Sequence, residues 1–255
     1  MATTATPVSV PPHSYDGPEE PPFVLPDTVD VHADIEYATA FDQKWQLDLF
    51  TPLGRATATG VSRAAPAVIY LHGGGGNRQK MWRHAAHMAA RGFIGISAEH
   101  AAARPHPPRP LAELLELPQA AVRWLRARAN ELGVDPLRMG AVGGSSSGRL
   151  VASLGGVDAP EGGLSSRVQA VVIMKGGVRA QLASLSAAPT LLIHGEGDPK
   201  VPYELTVAYG RALQEMGVRC ELLNEPTAVH SLKHRAPYYE RCLPIMERFL
   251  ITNLV

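Results

Sequence analysis

A mainly parallel β-sheet with helices on both faces is the fold this sequence predicts, and two observations predict it. Short runs rich in β-branched and aliphatic residues recur at "AVIYL", "FIGIS", "MGAVG", "AVVIM", "TLLIH" and "CELLN", each about the length of a buried strand. Between them lie stretches whose apolar residues repeat with the period of a helix. Alternation of this kind produces parallel strands whose crossover helices cover the sheet. One domain accommodates it, because 255 residues, 45% of them hydrophobic, are enough to bury a proper core.

Taken in order, Met1 to Pro26 are proline-rich and without apolar periodicity, and are expected to form an extended tail ahead of a domain over 27–255. "VDVHADIEY" and "KWQLDLF" alternate as strands at one edge of the sheet. In "PQAAVRWLRARANELG", Val122, Leu125, Ala129 and Leu132 share one helical face, with Gly133 as the break. In "YELTVAYGRALQEMG", the same spacing predicts a buried stripe of Leu205, Ala208, Tyr209, Ala212, Leu213 and Met216 between Pro202 and Gly217. Only Lys175 to Pro189 joins "AVVIM" to "TLLIH". A parallel crossover alone takes at least ~10–12 residues, so a minimal lid is expected. The tail and the loop "EHAAARPHPPRP" are the candidates to cover a cleft.

Composition narrows the partners. Lysine plus arginine and aspartate plus glutamate each number 24, which argues against a nucleic-acid or anionic-membrane surface. No apolar run approaches the ~20 residues of a membrane span. The first residues lack the basic and apolar regions of a secretory signal, so a cytoplasmic protein is expected. Cys220 and Cys242 are then expected as buried free thiols rather than a disulfide. No cluster has metal-ligand spacing and no phosphate-binding loop is present, so no metal or cofactor is expected.

Sites on parallel sheets form beyond the carboxyl ends of the strands. There the sequence places His72 with "GGGG" after "AVIYL", "GSSSG" after "MGAVG", "GEGDPKVP" after "TLLIH", and "EPTAVHSL" after "CELLN". A serine cluster, Asp198 and His230 therefore share one edge, in the order Ser…Asp…His, which suits acyl transfer. A literal GxSxG match, Gly144 to Gly148, makes Ser146 the nucleophile. Glu196 competes with Asp198 as the acid. His84, His87, His106 and His234 are read as solvated or structural.

These motifs resemble the α/β-hydrolase fold, in its HGGG-type esterase and lipase branch. "HGGGG" resembles the oxyanion loop, and "AVRWLRARANELGVDPLRMGAVGGSSSGRLVASLGG" the helix, strand and nucleophile elbow. "PTLLIHGEGDPKVP" and "VHSL" resemble the acid and histidine loops. The resemblance covers the chain from about Asp30 onward and leaves the tail without a counterpart. It sets Ser145 in the nucleophile position, with Ser146 following and Ser147 where glycine is usual. It implies Asp198 as acid, His230 as base, and backbone N–H groups of Gly74, Gly75 and Ser146 as the oxyanion hole, with His72 bracing that loop. A Cβ in such a loop obstructs the ~3 Å approach that an oxyanion requires. Glu99 and His100 are expected to line the substrate cleft, where the family often carries a Tyr-Arg pair. The implied activity is ester hydrolysis through an acyl-enzyme on a small-molecule ester or acyl substrate. Alternatives on the same triad are a thioesterase, a peptidase, or an acyl-transfer or cyclising enzyme; a non-catalytic ligand-binding relative is the alternative of another class.

Overall fold

The computed structural model describes residues 22–54, 64–101, 109–226, 228–230 and 236–255. Residues 1–21 of the expected tail and 102–108 of the expected covering loop, with His106 and His234, lie outside them. Among the described residues, eight strands form one sheet. They are β1 (Val29–Ala40), β2 (Gln43–Pro52), β3 (Ala65–Leu71), β4 (Ile94–Ala98), β5 (Val134–Gly144), β6 (Ala170–Met174), β7 (Thr190–His194) and β8 (Cys220–Asn224). Their spatial order is β1-β2-β4-β3-β5-β6-β7-β8. β1 and β2 join antiparallel at one edge, and the pairings from β4 through β8 are parallel. This is the mainly parallel sheet with helices on both faces that the strand runs predicted, and it fits the α/β-hydrolase fold that the motif resemblance implies.

Both faces of the sheet are buried, and the two-residue period of a strand sorts the core into two layers. Ala67, Ile69 and Leu71 of β3 face the layer filled by α2 (Leu111–Ala127), α3 (Ala129–Leu132), α4 (Gly148–Gly156) and α5 (Tyr203–Glu215). Val68 and Tyr70 face the layer filled by α1 (Trp82–Ala89) and α6 (Ala236–Leu254). Before β1, Phe23 sets its ring edge-on to Trp82, and Arg83 lies over the Phe23 ring. Phe23 thus docks on α1.

Two helices differ from expectation. The helix predicted through Gly133 breaks at Arg128, giving α2 and the single turn α3, with Gly133 left-handed as the stop. In α5 the buried residues are Thr206, Tyr209, Gly210 and Leu213, while Leu205, Ala208 and Met216 are exposed. The stripe is rotated because apolar spacing passes over Thr206 and Gly210. Thr206 turns inward to hydrogen-bond His194 and the Gly176 carbonyl at the sheet edge.

Candidate active site

β5 ends in a tight turn, Ser145–Ser147, that leads directly into α4. Ser145 takes φ 55°, a left-handed conformation that a side chain tolerates only under constraint. The turn closes because Gly148 packs on Gly176: a Cβ on Gly148 would come within 2.8 Å of the Gly176 Cα. The result projects Ser145 from the sheet edge, with its side chain lining a cleft of about 450 Å³.

The His230 loop follows β8 and approaches the Asp198 loop, which follows β7. Gly195 makes that approach possible, since a Cβ there would collide with the Ala228 carbonyl. His230 Nε2 stands 3.0 Å from Ser145 Oγ, and its Nδ1 stands 2.7 Å from Asp198 Oδ2. A carboxylate only accepts, so Nδ1 carries the proton and Nε2 is left to accept from the serine hydroxyl. Asp198 Oδ1 accepts the backbone N–H groups of Lys200 and Val201. Burial raises the Asp198 carboxyl pKa. The His230 hydrogen bond and the two backbone donors together outweigh that, so the group stays below its ordinary value and remains ionised.

The structure thus brings Ser145, His230 and Asp198 together. The rival Glu196 instead accepts from Asn224 Nδ2, at 2.5 Å. The glycine run sits opposite: Gly73 to Gly76 line the cleft with Ser145, and Gly75 takes φ 72°. Ser146 stands beside this loop, its Oγ 3.4 Å from where a Cβ on Gly74 would lie.

Ser147, where the resemblance leads one to expect glycine, has a structural use. It is fully buried, and its hydroxyl donates to the His72 carbonyl and lies 3.1 Å from His100 Nε2. His100 Nε2 also reaches the His72 carbonyl at 2.9 Å, and the two imidazoles stack with centroids 4.4 Å apart. The residue just before the glycine run is therefore held by two donors and a ring.

The expectation that Glu99 and His100 line the cleft is corrected. Neither is among the described residues that line it. His100 is 1% exposed, enclosed behind the glycine loop by His72 and Ser147. Burial first, and the neighbouring His72 second, push its pKa down to about 3, so it is a neutral packing group. Glu99 is recruited by Arg78, whose guanidinium also pairs with Asp34 and Asp48.

Sequence reasoning missed His194. It ends β7 fully buried, with Nδ1 2.6 Å from Thr206 Oγ1 and Nε2 3.1 Å from the Val201 carbonyl. The same Nε2 is 3.3 Å from Asp198 Oδ2, so one carboxylate oxygen faces two imidazoles. Burial holds His194 below its ordinary pKa, against the pull of Asp198. The signal was its position four residues before the acid.

Comparisons with known proteins agree with this fold. The BD-FAE family model matches residues 47–184, and the Prolyl oligopeptidase family model matches residues 177–250. No curated protein matches. Among solved structures, an esterase from the Planctomycetes species Thermogutta terrifontis, with propionate bound, is similar at TM-score 0.76 and 22% identity. That match covers 89% of this chain and 94% of the other. The same esterase phosphonylated by sarin is similar at TM-score 0.77 and 21% identity, covering 89% and 96% of the two chains. A mainly parallel sheet with a serine on its strand-to-helix turn defines the class, an α/β-hydrolase-fold serine hydrolase. With more than half its length matched, the chain belongs to the BD-FAE family.

Proposed function

We propose that the protein hydrolyses carboxylic esters through an acyl-enzyme on Ser145. The observation that carries this is His230 bridging Ser145 Oγ and Asp198 Oδ2, at 3.0 and 2.7 Å. His230 takes the serine proton through Nε2 as Ser145 attacks the carbonyl carbon, then returns it to the leaving alkoxide. Water repeats the cycle to release the acid. Asp198 holds the imidazole tautomer and stabilises the imidazolium. Backbone N–H groups of Gly74, Gly75 and Ser146 bind the oxyanion, each contributing about 10²–10³ in rate. Support also comes from the similar esterase, which is known with propionate and butyrate bound and with its phosphonylated forms.

A small-molecule ester of compact acyl group is the substrate class. The segment 175–189 between β6 and β7 carries only the short 3-10 turn Ala180–Leu182, leaving no inserted cap. A longer acyl chain in a cleft without a cap from this segment forgoes much of the ~0.8 kcal/mol per buried CH₂. No helix of the described residues is long and apolar enough to cross a membrane. Cytoplasmic residence belongs to the same proposal, supported by the buried, unbridged Cys220 and Cys242.

The match of the Prolyl oligopeptidase model over the acid and histidine loops favours a peptidase as the second reading. Fluorophosphonate labelling, kinetics on a C2-to-C12 ester series and a panel of aminoacyl anilides separate the two. Label on Ser145 with turnover best at C2–C4 is expected. Cleavage of anilides without esters selects the peptidase, and a kcat/KM that climbs steadily to C12 refutes the compact acyl preference.

A further inference from the structure

Two methionines, Met81 and Met174, are the large apolar side chains among the described residues that line the cleft. Both are buried and both belong to the core layer of α1 and α6, so they form the floor of the cleft rather than its rim. Met174 ends β6 and stands in register with Gly144, the residue before Ser145. A Cβ on Gly144 would lie 3.8 Å from both the Cβ and the Cε of Met174. Gly144 itself lines the cleft, so such a Cβ would take up cleft space against the Met174 methyl group.

Methionine is ordinarily the adaptable side chain of a core, because its unbranched torsions let it refill gaps. Met174 is held instead. The Tyr238 hydroxyl donates to Met174 Sδ at 3.1 Å, and His84 Nε2 lies 3.2 Å from the same hydroxyl. The single hydroxyl proton goes to sulfur, so His84 Nε2 carries a proton and donates to the hydroxyl oxygen. Tyr238 comes from α6 and His84 from α1, and both are buried. The thioether is thus fixed by the two helices packed beneath it. In an ester attacked by Ser145, the carbonyl oxygen turns to the glycine loop and the alkoxide to His230 Nε2. The acyl substituent takes the direction that remains, and the apolar surface adjoining the serine there is the floor under Gly144.

We propose that Met174 and Met81 form the floor of the acyl pocket, and that Met174, pinned by Tyr238, sets the upper limit on acyl length. The inference rests on the ester-hydrolase reading and places its preference for compact acyl groups in named side chains. The full chain and its variants are assayed with 4-nitrophenyl esters from C2 to C12, and with acetates of alcohols from methanol to hexanol. Gly144→Ala adds a Cβ at ordinary contact distances, on an extended backbone of φ -122° and ψ 151° that alanine adopts freely. It is expected to lower kcat/KM for C4 about fourfold relative to C2, the worth of one methylene denied burial. Met174→Ala removes Cγ, Sδ and Cε and moves the optimum from C2–C4 to about C6. Tyr238→Phe keeps the ring and frees the sulfur, raising kcat/KM for C6 relative to C2 about twofold to fourfold. If Met174→Ala does not fold, Gly144→Ala carries the test alone. Acyl profiles in the two variants that match the native one overturn the inference while ester hydrolysis stands. A native profile in Tyr238→Phe overturns the pinning, and a shift in the alcohol series in place of the acyl series overturns the choice of the acyl half. Cleavage of no ester by the native protein, with no fluorophosphonate label, removes the hydrolase reading itself.

Discussion

Ser147→Ala is the substitution whose consequences the structure defines most closely. The hydroxyl is fully buried and gives one hydrogen bond to the His72 carbonyl, at 2.5 Å. Alanine keeps the Cβ and the backbone and removes that donor together with the hydroxyl's 3.1 Å contact to His100 Nε2. The carbonyl is not orphaned, because His100 Nε2 remains 2.9 Å away. The loss is therefore the net of one buried hydrogen bond plus a hydroxyl-sized void, about 1–2 kcal/mol. At ~2–4 °C per kcal/mol for a domain of this size, the melting temperature falls by about 2–8 °C. Ser147→Gly also frees the backbone at the start of α4 and loses a further ~0.5–1 kcal/mol. Because His72 immediately precedes the glycine run, both variants also slacken the loop proposed to bind the oxyanion, so kcat for a short ester falls more than KM rises. Calorimetry with steady-state kinetics measures both effects. A glycine variant as stable as the native protein would refute the reasoning, since glycine would then fit without the hydroxyl.

Ser145→Ala is expected to abolish turnover and fluorophosphonate labelling, while Ser146→Ala, which keeps its backbone N–H, retains a measurable fraction; label on Ser146 would reverse the assignment. His194→Phe is expected to lower kcat about 10–100-fold with little change in KM, by releasing Asp198 from its second imidazole. His194→Gln, which returns an N–H near the Nε2 position, should recover part of that loss, and equal rates in both variants would deny His194 a positioning role. His100 is held neutral with its pKa near 3, against an ordinary histidine value of ~6.5. Its contribution to stability is complete above pH ~6.5 and is lost progressively as pH falls toward 3, by about 2 kcal/mol at pH 5. Urea unfolding at pH 7 and pH 5 should therefore show a smaller acid loss in His100→Gln than in the native protein, and identical losses would exclude His100 as the source.

Much of the fold and the core of the candidate site was legible without coordinates. β3, β6, β7 and β8 contain the runs that predicted them, because a strand buried on both faces is a continuous apolar run bounded by breakers. Parallel order then forces the ends of β3, β5, β7 and β8 to one edge. Ser145, Asp198 and His230 were thus brought within reach by topology, although 32 and 85 residues separate His230 from its two partners. Local periodicity could not say which way Glu99 and His100 turn. Arg78 draws Glu99 into its carboxylate cluster, and the His72 ring with Ser147 draws His100 behind the glycine loop. The buried face of α5 was misjudged for the same reason: Thr206 is polar in isolation and becomes an inward residue only when His194 and the Gly176 carbonyl are there to bind it.

The sequence by itself determined the strands, their chain order and the chemistry at their ends, since those depend on residues adjacent in the chain. The tertiary structure alone decided that Asp198 faces two imidazoles, that the Ser147 hydroxyl binds the His72 carbonyl, and that three of five lysines meet at one cleft. Each of these joins side chains from loops far apart in sequence, whose positions are set by sheet register and by which buried polar groups find partners.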